Sequence, residues 1–394
     1  MSEIKELITH AVDRMTDELE ALSHRIHATP ELGYQEVKAS AWLAEFLEAK
    51  GFKVERGVAG VETAFRAILE SGDGPTVAVL CEYDALPEIG HACGHNVIAT
   101  SGVGAGAALA AVRDRLPKGR ILIIGTPAEE GGGGKIRLIE GGAFTDVDCA
   151  MMIHGLDRTV IQQELLGVVR VTFDFTGKAA HASADPWHGI NALDAVIQTF
   201  NAISMLRQQV RPDARIHGII TNGGAAPNII PEAASCLFFV RAATLEYMGE
   251  VRHRVVACAE GAARATGAEL RVTQNPIVYE PFKRNQTLLD LFKTNLERLE
   301  AHPEAPVPNR FGSSDIGNVS QVIPAIQPYI KIAETGTPIH SRAFAAAAVS
   351  PVARQGLALA AKAMAMTAAD LLANPEAVRR AKEEFAGAPG SGSR

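Results

Sequence analysis

The segment TVAVLCEYD at residues 76–84 joins a short, almost continuous apolar run to an acidic ending. Two later segments also begin with such a run, RILIIGTPAEE at residues 120–130 and DCAMMIHG at residues 148–155. Stretches rich in small residues and helical in character, notably Val97–Val112, separate them. Apolar strands that alternate with helices are typical of a mostly parallel sheet covered on both faces. The sequence therefore predicts an α/β fold around these three strands.

A different pattern begins after Gly167. The segment VVRVTFDFTG at residues 168–177 alternates apolar and polar residues, which is the period of a half-exposed antiparallel strand. A helix, two strands, a helix and a strand are then predicted, at Ile190–Gln209, Ile216–Thr221, Ser235–Ala242, Leu245–Thr266 and Glu269–Thr273. This order of elements is that of a ferredoxin-like unit. We therefore expect an inserted α+β domain at residues 168–280, between residues 1–167 and 281–394 of the α/β domain.

Helices are expected near both ends of the chain. Apolar residues recur at helical spacing in the first 27 residues, and a second helix is predicted over Glu36–Lys50. A single long Ala-rich helix is predicted over Phe344–Leu372. The final segment EEFAGAPGSGSR, residues 383–394, is expected to be disordered.

Composition and charge exclude several classes of protein. Of the 394 residues, 47% are hydrophobic and 21% charged, as in ordinary globular proteins, and the formal net charge of −7 does not suggest a nucleic-acid binder. No stretch approaches the roughly 20 continuous apolar residues that cross a bilayer, and the N-terminus lacks the apolar core of a signal peptide. The five cysteines are too scattered for a disulfide framework. We expect a soluble cytoplasmic protein without nucleic-acid or membrane partners.

Polar groups follow all three predicted strands. Ligands in open parallel sheets bind at the carboxyl ends of the strands, so these groups are expected to share one rim. They are Glu82, Asp84, Glu129, Glu130, His154 and, in the loop after the first strand, Cys93 and His95. Thiolate, imidazole and carboxylate together suit zinc, manganese or a neighbouring transition metal. Alone, Cys-Gly-His is equally consistent with a buried thiol beside a hydrogen-bonded histidine, but the convergence of strand ends favours a metal site.

The adjacent Glu129 and Glu130 come directly before Gly131–Gly134. A Glu pair is usually surface charge, but this one follows a buried strand in a tight loop. Two acids in one pocket repel each other, so one is expected to be a metal ligand and the other a general base. The following GGGGK lacks the spacing and the Ser or Thr of a phosphate-binding loop.

These motifs resemble those of the metallo-amidohydrolases of peptidase family M20, which includes aminoacylases, succinyl-diaminopimelate desuccinylase and bacterial carboxypeptidases. EYDALPEIGHACGHN and GTPAEEGGGGK are most similar to its amidohydrolase branch, close to aminobenzoyl-glutamate hydrolase and β-alanyl-lysine dipeptidase-like proteins. The resemblance continues in order through GKAAHAS, GGAAPNIIPE, GSSDIGNVS and PIHSRAF. It implies a zinc-exopeptidase-like catalytic domain with an inserted lid and dimerisation domain.

The resemblance also implies roles for individual residues. The implied metal ligands are Cys93, His95, Glu130, His154 and His340. Glu129 matches the general base, and Asp84 matches the acid that supports the ligands. The histidine that usually stands two residues before that acid is Glu82 here, and we expect Glu82 not to contact metal.

Three residues of the inserted domain are also implied to act on the substrate. His181, in GKAAHAS, resembles a histidine that reaches into a partner subunit's site and stabilises the oxyanion. Asn228 and Arg241 match positions that bind the substrate's carboxylate or amide. The resemblance therefore implies a homodimer and a small amide substrate that bears a carboxylate.

The expected function is metal-dependent hydrolysis of the amide bond of an N-acyl or N-aroyl amino acid or small dipeptide. One or two divalent ions are expected, Mn²⁺ or Zn²⁺, with Co²⁺ or Ni²⁺ as alternatives. Two other functions stay open. One is a cysteine-nucleophile amidase using Cys93, activated by His91 or His95. The other is a non-catalytic protein that binds an acyl amino acid.

Overall fold

The computed structural model of the chain describes residues 1–387 and divides into two compact units. The first consists of Met1–Glu164, Lys283–Arg310 and the described residues from Ser314 onward, and the second of Leu165–Phe282 and Phe311–Ser313. The expectation of disorder from residue 383 is wrong for residues 383–387, which are helical. Its remaining part, residues 388–394, lies outside the described residues.

Both units contain strands and helices. The strands are β1 (Lys53–Arg56), β2 (Phe65–Glu70), β3 (Thr76–Cys81), β4 (Arg120–Gly125), β5 (Cys149–Met151), β6 (His154–Leu156), β7 (Gly167–Thr176), β8 (Arg215–Asn222), β9 (Ala233–Ala242), β10 (Glu269–Gln274), β11 (Ala325–Ile326) and β12 (Tyr329–Lys331). The α-helices are α1 (Ser2–His27), α2 (Val37–Ala49), α3 (His95–Ala111), α4 (Gly134–Glu140), α5 (Ala192–Leu206), α6 (Leu245–Thr266), α7 (Gln286–Arg298), α8 (Ile316–Val322), α9 (Arg342–Ala347), α10 (Pro351–Ala373) and α11 (Pro375–Gly387).

The first unit is built on a six-stranded sheet of order β1-β2-β4-β3-β5-β11. Strands β4, β3, β5 and β11 pair in parallel, whereas β1 and β2 are antiparallel additions at one edge. The α/β fold with a mostly parallel sheet is therefore confirmed, with the three predicted strands as direct neighbours. Strands β1 and β2 were not predicted, because charged residues interrupt both and neither is a continuous apolar run.

Helix α3 lies against this sheet and also packs on α1 and α10. Its residues from His95 to Ala110 are all buried, and many of them are glycine or alanine. Small residues let the helix approach the sheet closely: a Cβ atom at Gly102 would meet the sulfur of Cys81 in β3. The composition of α3 thus sets the distance between this helix and the strands.

The predicted helix over Phe344–Leu372 is interrupted in the structure, forming α9 and α10. Ser350 accepts a hydrogen bond from Ala353 N, and Pro351 occupies the first position of α10, which together start a new helix. Helix α10 is long and apolar enough to cross a bilayer by length and composition, although its sequence contains no continuous apolar run of that length. In the structure, 72% of this apolar stretch is buried inside the protein.

The second unit is a four-stranded antiparallel sheet of order β10-β7-β9-β8. Helices α5 and α6 pack on each other and on the sheet. This strand order and the order of elements confirm the ferredoxin-like fold. The inward residues of β7, which include Val171, Phe173 and Phe175, are buried in the core. Among the described residues of this unit, no charged side chain is buried.

Candidate metal centre

The polar residues at the carboxyl ends of β3 and β4 lie at the same edge of the sheet, because the two strands are parallel neighbours. Glu82 and Asp84 follow β3 and are buried, as is Glu129 after β4. Two local expectations were wrong. His95 is the first residue of α3, not part of a loop. His154 does not end β5, which stops at Met151, but begins β6, which pairs with β12.

Cys93, His95 and His154 form one cluster of possible ligands. One donor atom from each lies within 4.8 Å of the other two, and all three residues are buried. The sulfur of Cys93 is 3.4 Å from Nε2 of His154. Between Cys93 and His95, Gly94 has a φ of 79°, a left-handed conformation in which glycine carries no steric penalty.

Hydrogen bonds orient both imidazoles of this cluster. Nδ1 of His95 lies 2.9 Å from the carbonyl oxygen of Asp84 and 3.1 Å from its Oδ1, and Nδ1 of His154 lies 2.8 Å from the carbonyl oxygen of Gly155. Carbonyl oxygens only accept, so each Nδ1 is assigned as the donor, and in the neutral imidazole Nε2 is then the nitrogen with the lone pair. Metal-binding histidines commonly have this second hydrogen bond.

Glu130 and His340 extend the cluster on its more exposed side. Nε2 of His340 lies 3.2 Å from Oε1 of Glu130, and half of the His340 side chain is exposed. Both residues share a group of possible ligand atoms with Cys93. Backbone contacts hold them, since Glu130 N donates to Oδ2 of Asp84 and His340 N donates to the carbonyl of Ala92. The five predicted ligands therefore lie in overlapping groups around Cys93.

Glu129 lies between this cluster and a second group of acids. Its carboxylate shares one group of possible ligands with His95 and Glu130, and another with Glu82 and Asp315. Burial raises the pKa of Glu129 well above its ordinary value, and the neighbouring Glu82 and Glu130 raise it further. A carboxyl group in these surroundings binds a proton readily.

The donor set fits a divalent metal ion. Nε2 of His95 is buried and has no hydrogen-bond partner among the described residues, so a cation would satisfy it. Burial raises the pKa of the Cys93 thiol well above its ordinary value, and nearby Glu130 adds to the rise. Coordination to a cation would favour the thiolate instead. Sulfur, nitrogen and carboxylate oxygen are the donors that zinc takes in proteins.

Sequence reasoning missed Lys135 and the role of Asp315. Nζ of Lys135 donates to Oε1 of Glu82 at 2.5 Å and to Oδ1 of Asp315 at 2.6 Å, and none of the three side chains is exposed. Both residues lie in motifs that resemble those of the family, Lys135 in GGGGK and Asp315 in GSSDIGNVS, but nothing else in the sequence indicates their role.

The three predicted residues of the second unit have different surroundings. Nδ1 of the exposed His181 accepts hydrogen bonds from Ser183 N and Ala184 N, which assigns the ring proton to Nε2. Asn228 is exposed next to it, its carbonyl accepting from Ala182 N. Arg241 is half-buried and donates to Oγ of Ser313 at 2.8 Å. Burial lowers the pKa of Arg241, and Arg170 lowers it further.

The model of peptidase family M20/M25/M40 matches residues 78–363 of the chain. The chain is 38% identical to the Xaa-Arg dipeptidase of Mus musculus, over 97% of this chain and 92% of that protein. It is 30% identical to one subunit of the p-aminobenzoyl-glutamate hydrolase of Escherichia coli, over 98% and 95% respectively. A Bacillus subtilis protein described as a dinuclear metal-binding peptidase has the same fold, with 22% identity, a TM-score of 0.73 and coverage of 92% of this chain and 99% of that one. The chain therefore belongs to peptidase family M20/M25/M40 and is a metal-dependent hydrolase of amide bonds.

Proposed function

We propose that Cys93, His95, Glu130, His154 and His340 bind one or two divalent ions and that Glu129 is the general base for amide hydrolysis. The observation that carries this proposal is the buried cluster of Cys93, His95 and His154. In it both imidazoles donate through Nδ1 and keep Nε2 for a cation. Zinc and manganese are the proposed ions, because thiolate, imidazole and carboxylate donors suit both.

The proposed chemistry uses the residues around that cluster. A bound divalent ion would lower the pKa of water and polarise the scissile carbonyl. Glu129 accepts the proton of the attacking water and returns it to the leaving amine. Burial and neighbouring Glu82 raise the pKa of Glu129, as suits a group that must hold a proton between two steps. Asp84 orients His95 through Oδ1 and holds the backbone of Glu130 through Oδ2.

The same surroundings argue against Cys93 as a nucleophile. A thiol attacks as its thiolate, so nucleophilic cysteines usually lie where their pKa is lowered. Burial and nearby Glu130 have the opposite effect on Cys93 and raise the pKa of its thiol. Cys93 therefore fits a metal ligand better than a nucleophile.

The proposed substrate is an N-acyl or N-aroyl amino acid or a small dipeptide with a free carboxylate. Two relatives support this class, a dipeptidase that is 38% identical and an aminobenzoyl-glutamate hydrolase subunit that is 30% identical. Arg241 and Asn228 are proposed to bind the carboxylate or amide of the substrate. A guanidinium suits this role because it pairs with a carboxylate in a bidentate manner.

We also propose a cytoplasmic homodimer in which the second unit provides the contact. Strand β8 is an edge strand, and its Ile219 and Ile220 are exposed, as is Met205 in α5. Exposed edges and apolar side chains of this kind favour association with another chain. The proton on Nε2 of the exposed His181 would be available to an oxyanion in the partner's site.

The test is a panel of N-acyl amino acids and dipeptides assayed with protein that has been freed of metal and then loaded with Mn²⁺ or Zn²⁺. We expect no turnover after metal removal and restored turnover on loading, with a preference for substrates that end in a free carboxylate. Full turnover by the metal-free protein would contradict the proposal.

A further inference from the structure

Lys135 is a buried charge beside the proposed metal ligands, and the chemistry described above does not use it. Its Nζ donates to Oε1 of Glu82 and Oδ1 of Asp315, and its backbone N donates to Oδ2 of Asp315 at 2.9 Å. A charge removed from water is costly unless it is paired and hydrogen-bonded, and breaking such a pair is strongly destabilising. The ammonium therefore fixes the positions of both carboxylates.

Glu82 connects Lys135 to the metal cluster. While Oε1 faces the ammonium, Oε2 lies 3.6 Å from Nε2 of His95 and has no hydrogen-bond partner among the described residues. This nitrogen of His95 is the one that would bind a cation. Carboxylate oxygens are ordinary ligands of zinc and manganese, so Glu82 would be a further ligand if it were free to move by a short distance.

Lys135 also lies close to the general base. Carboxylate oxygens of Glu82, Glu129 and Asp315 lie within 4.8 Å of one another. Three like charges at this spacing repel each other strongly in a buried environment. The ammonium of Lys135 contacts two of the three acids, Glu82 and Asp315, and so offsets part of the repulsion that their charges exert on Glu129.

We propose that Lys135 is a positioning residue that holds Glu82 out of the metal-ligand set and fixes the two acids next to Glu129. This inference rests on the proposed metal site. The expected change in metal affinity is an increase, because loss of the ammonium releases Glu82 toward His95 Nε2. The metal is then bound more tightly while turnover becomes slower. Simple structural damage would weaken metal binding and turnover together.

The test compares metal affinity and kinetics in the full-length protein. For Lys135→Met, we expect Zn²⁺ or Mn²⁺ to bind about 10-fold more tightly in calorimetric titrations. We expect kcat to fall by about 10- to 100-fold, the usual size of effects from groups behind the ligands, with little change in KM. Unchanged or weaker metal binding by folded Lys135→Met would overturn the proposal.

Two further variants keep the test decisive if Lys135→Met does not fold. The double variant Lys135→Met with Glu82→Gln removes both charges of the Lys135–Glu82 pair while Asp315 keeps its carboxylate, and we expect it to bind metal with wild-type affinity. The single variant Glu82→Gln is expected to do the same. A loss of affinity of 10-fold or more in Glu82→Gln would mean that Glu82 is a ligand, which contradicts the proposal. If the wild-type protein bound neither ion, the proposed function itself would fail.

Discussion

The two units of the chain differ in where they keep their charged groups. The first buries several of them, among them Glu82, Asp84, Glu129, Lys135 and Asp315. The second buries no charged side chain among its described residues, and its candidate functional residues His181 and Asn228 are exposed. Buried charges are tolerated where function requires them, at a cost in stability. Substitutions at the buried charges of the first unit should therefore change both catalytic activity and local stability. Substitutions at the exposed candidate residues of the second unit should change activity without a comparable change in stability.

The largest effect is expected from Glu129→Gln, which removes a buried titratable carboxyl group and conserves the size of the side chain. The variant cannot accept a proton, so kcat should fall by about 10²- to 10⁴-fold. Steady-state kinetics and metal analysis of the purified protein would check this, and metal content should stay at the wild-type level. Near-normal turnover would show that another group is the base.

A smaller effect is expected from His181→Ala in the second unit. Loss of one oxyanion donor should lower kcat by about 10²- to 10³-fold. Because His181 is exposed and its Nδ1 accepts only from the backbone of an exposed turn, the free energy of unfolding should change by no more than about 1.5 kcal/mol. Kinetics and urea unfolding measure the two quantities separately, and a large loss of stability would remove the contrast between the units.

Mixing His181→Ala with Glu129→Gln subunits is the control for this prediction. In a symmetric dimer whose sites each use the partner's His181, half of the randomly mixed dimers would regain one intact site of two. Activity should then recover to roughly a quarter of the wild-type value. If no activity returned, His181 would act within its own chain or not at all.

The smallest effect is expected from Asp84→Asn. Asp84 contacts His95 through Oδ1 and Glu130 N through Oδ2, and asparagine cannot replace the charge that supports the imidazole. Metal affinity or activity should fall by about 10- to 100-fold. The control Asp174→Asn alters an ion pair with Arg271 on the second unit and should leave metal affinity unchanged. An equal effect of both variants would contradict the assigned role of Asp84.

The pattern of apolar residues was sufficient to predict the part of the site that lies at the ends of strands. Apolar runs predicted that β3 and β4 lie in a parallel sheet, and parallel neighbours bring Glu82, Asp84 and Glu129 to one edge. The same reasoning assigned His154 to the wrong element, because β5 ends at Met151 and the chain then starts a separate pairing with β12. Short strands of this kind have too few residues to mark their own ends.

Other parts of the site depend on contacts that no local pattern encodes. His340 was identified through the family resemblance alone. Its backbone has a positive φ of 61°, which the neighbouring sequence does not predict. Lys135 and Asp315 are separated by 180 residues, so their ion pair exists only in the folded chain. A lysine after four glycines would otherwise be expected on the surface, because charged side chains are rarely buried without a partner.

The small residues of α3 have a consequence for how accurately the site is built. Asp84 follows β3 and His95 begins α3, so the geometry between them depends on the spacing between strand and helix. Gly102 sets that spacing two turns along the helix, where any side chain would meet Cys81. Because the helix moves as one body, a shift of α3 relative to the sheet would displace the proposed ligand His95 at its first position. Residues far from the reacting atoms, such as Gly102, therefore help to determine the distance between Asp84 and His95.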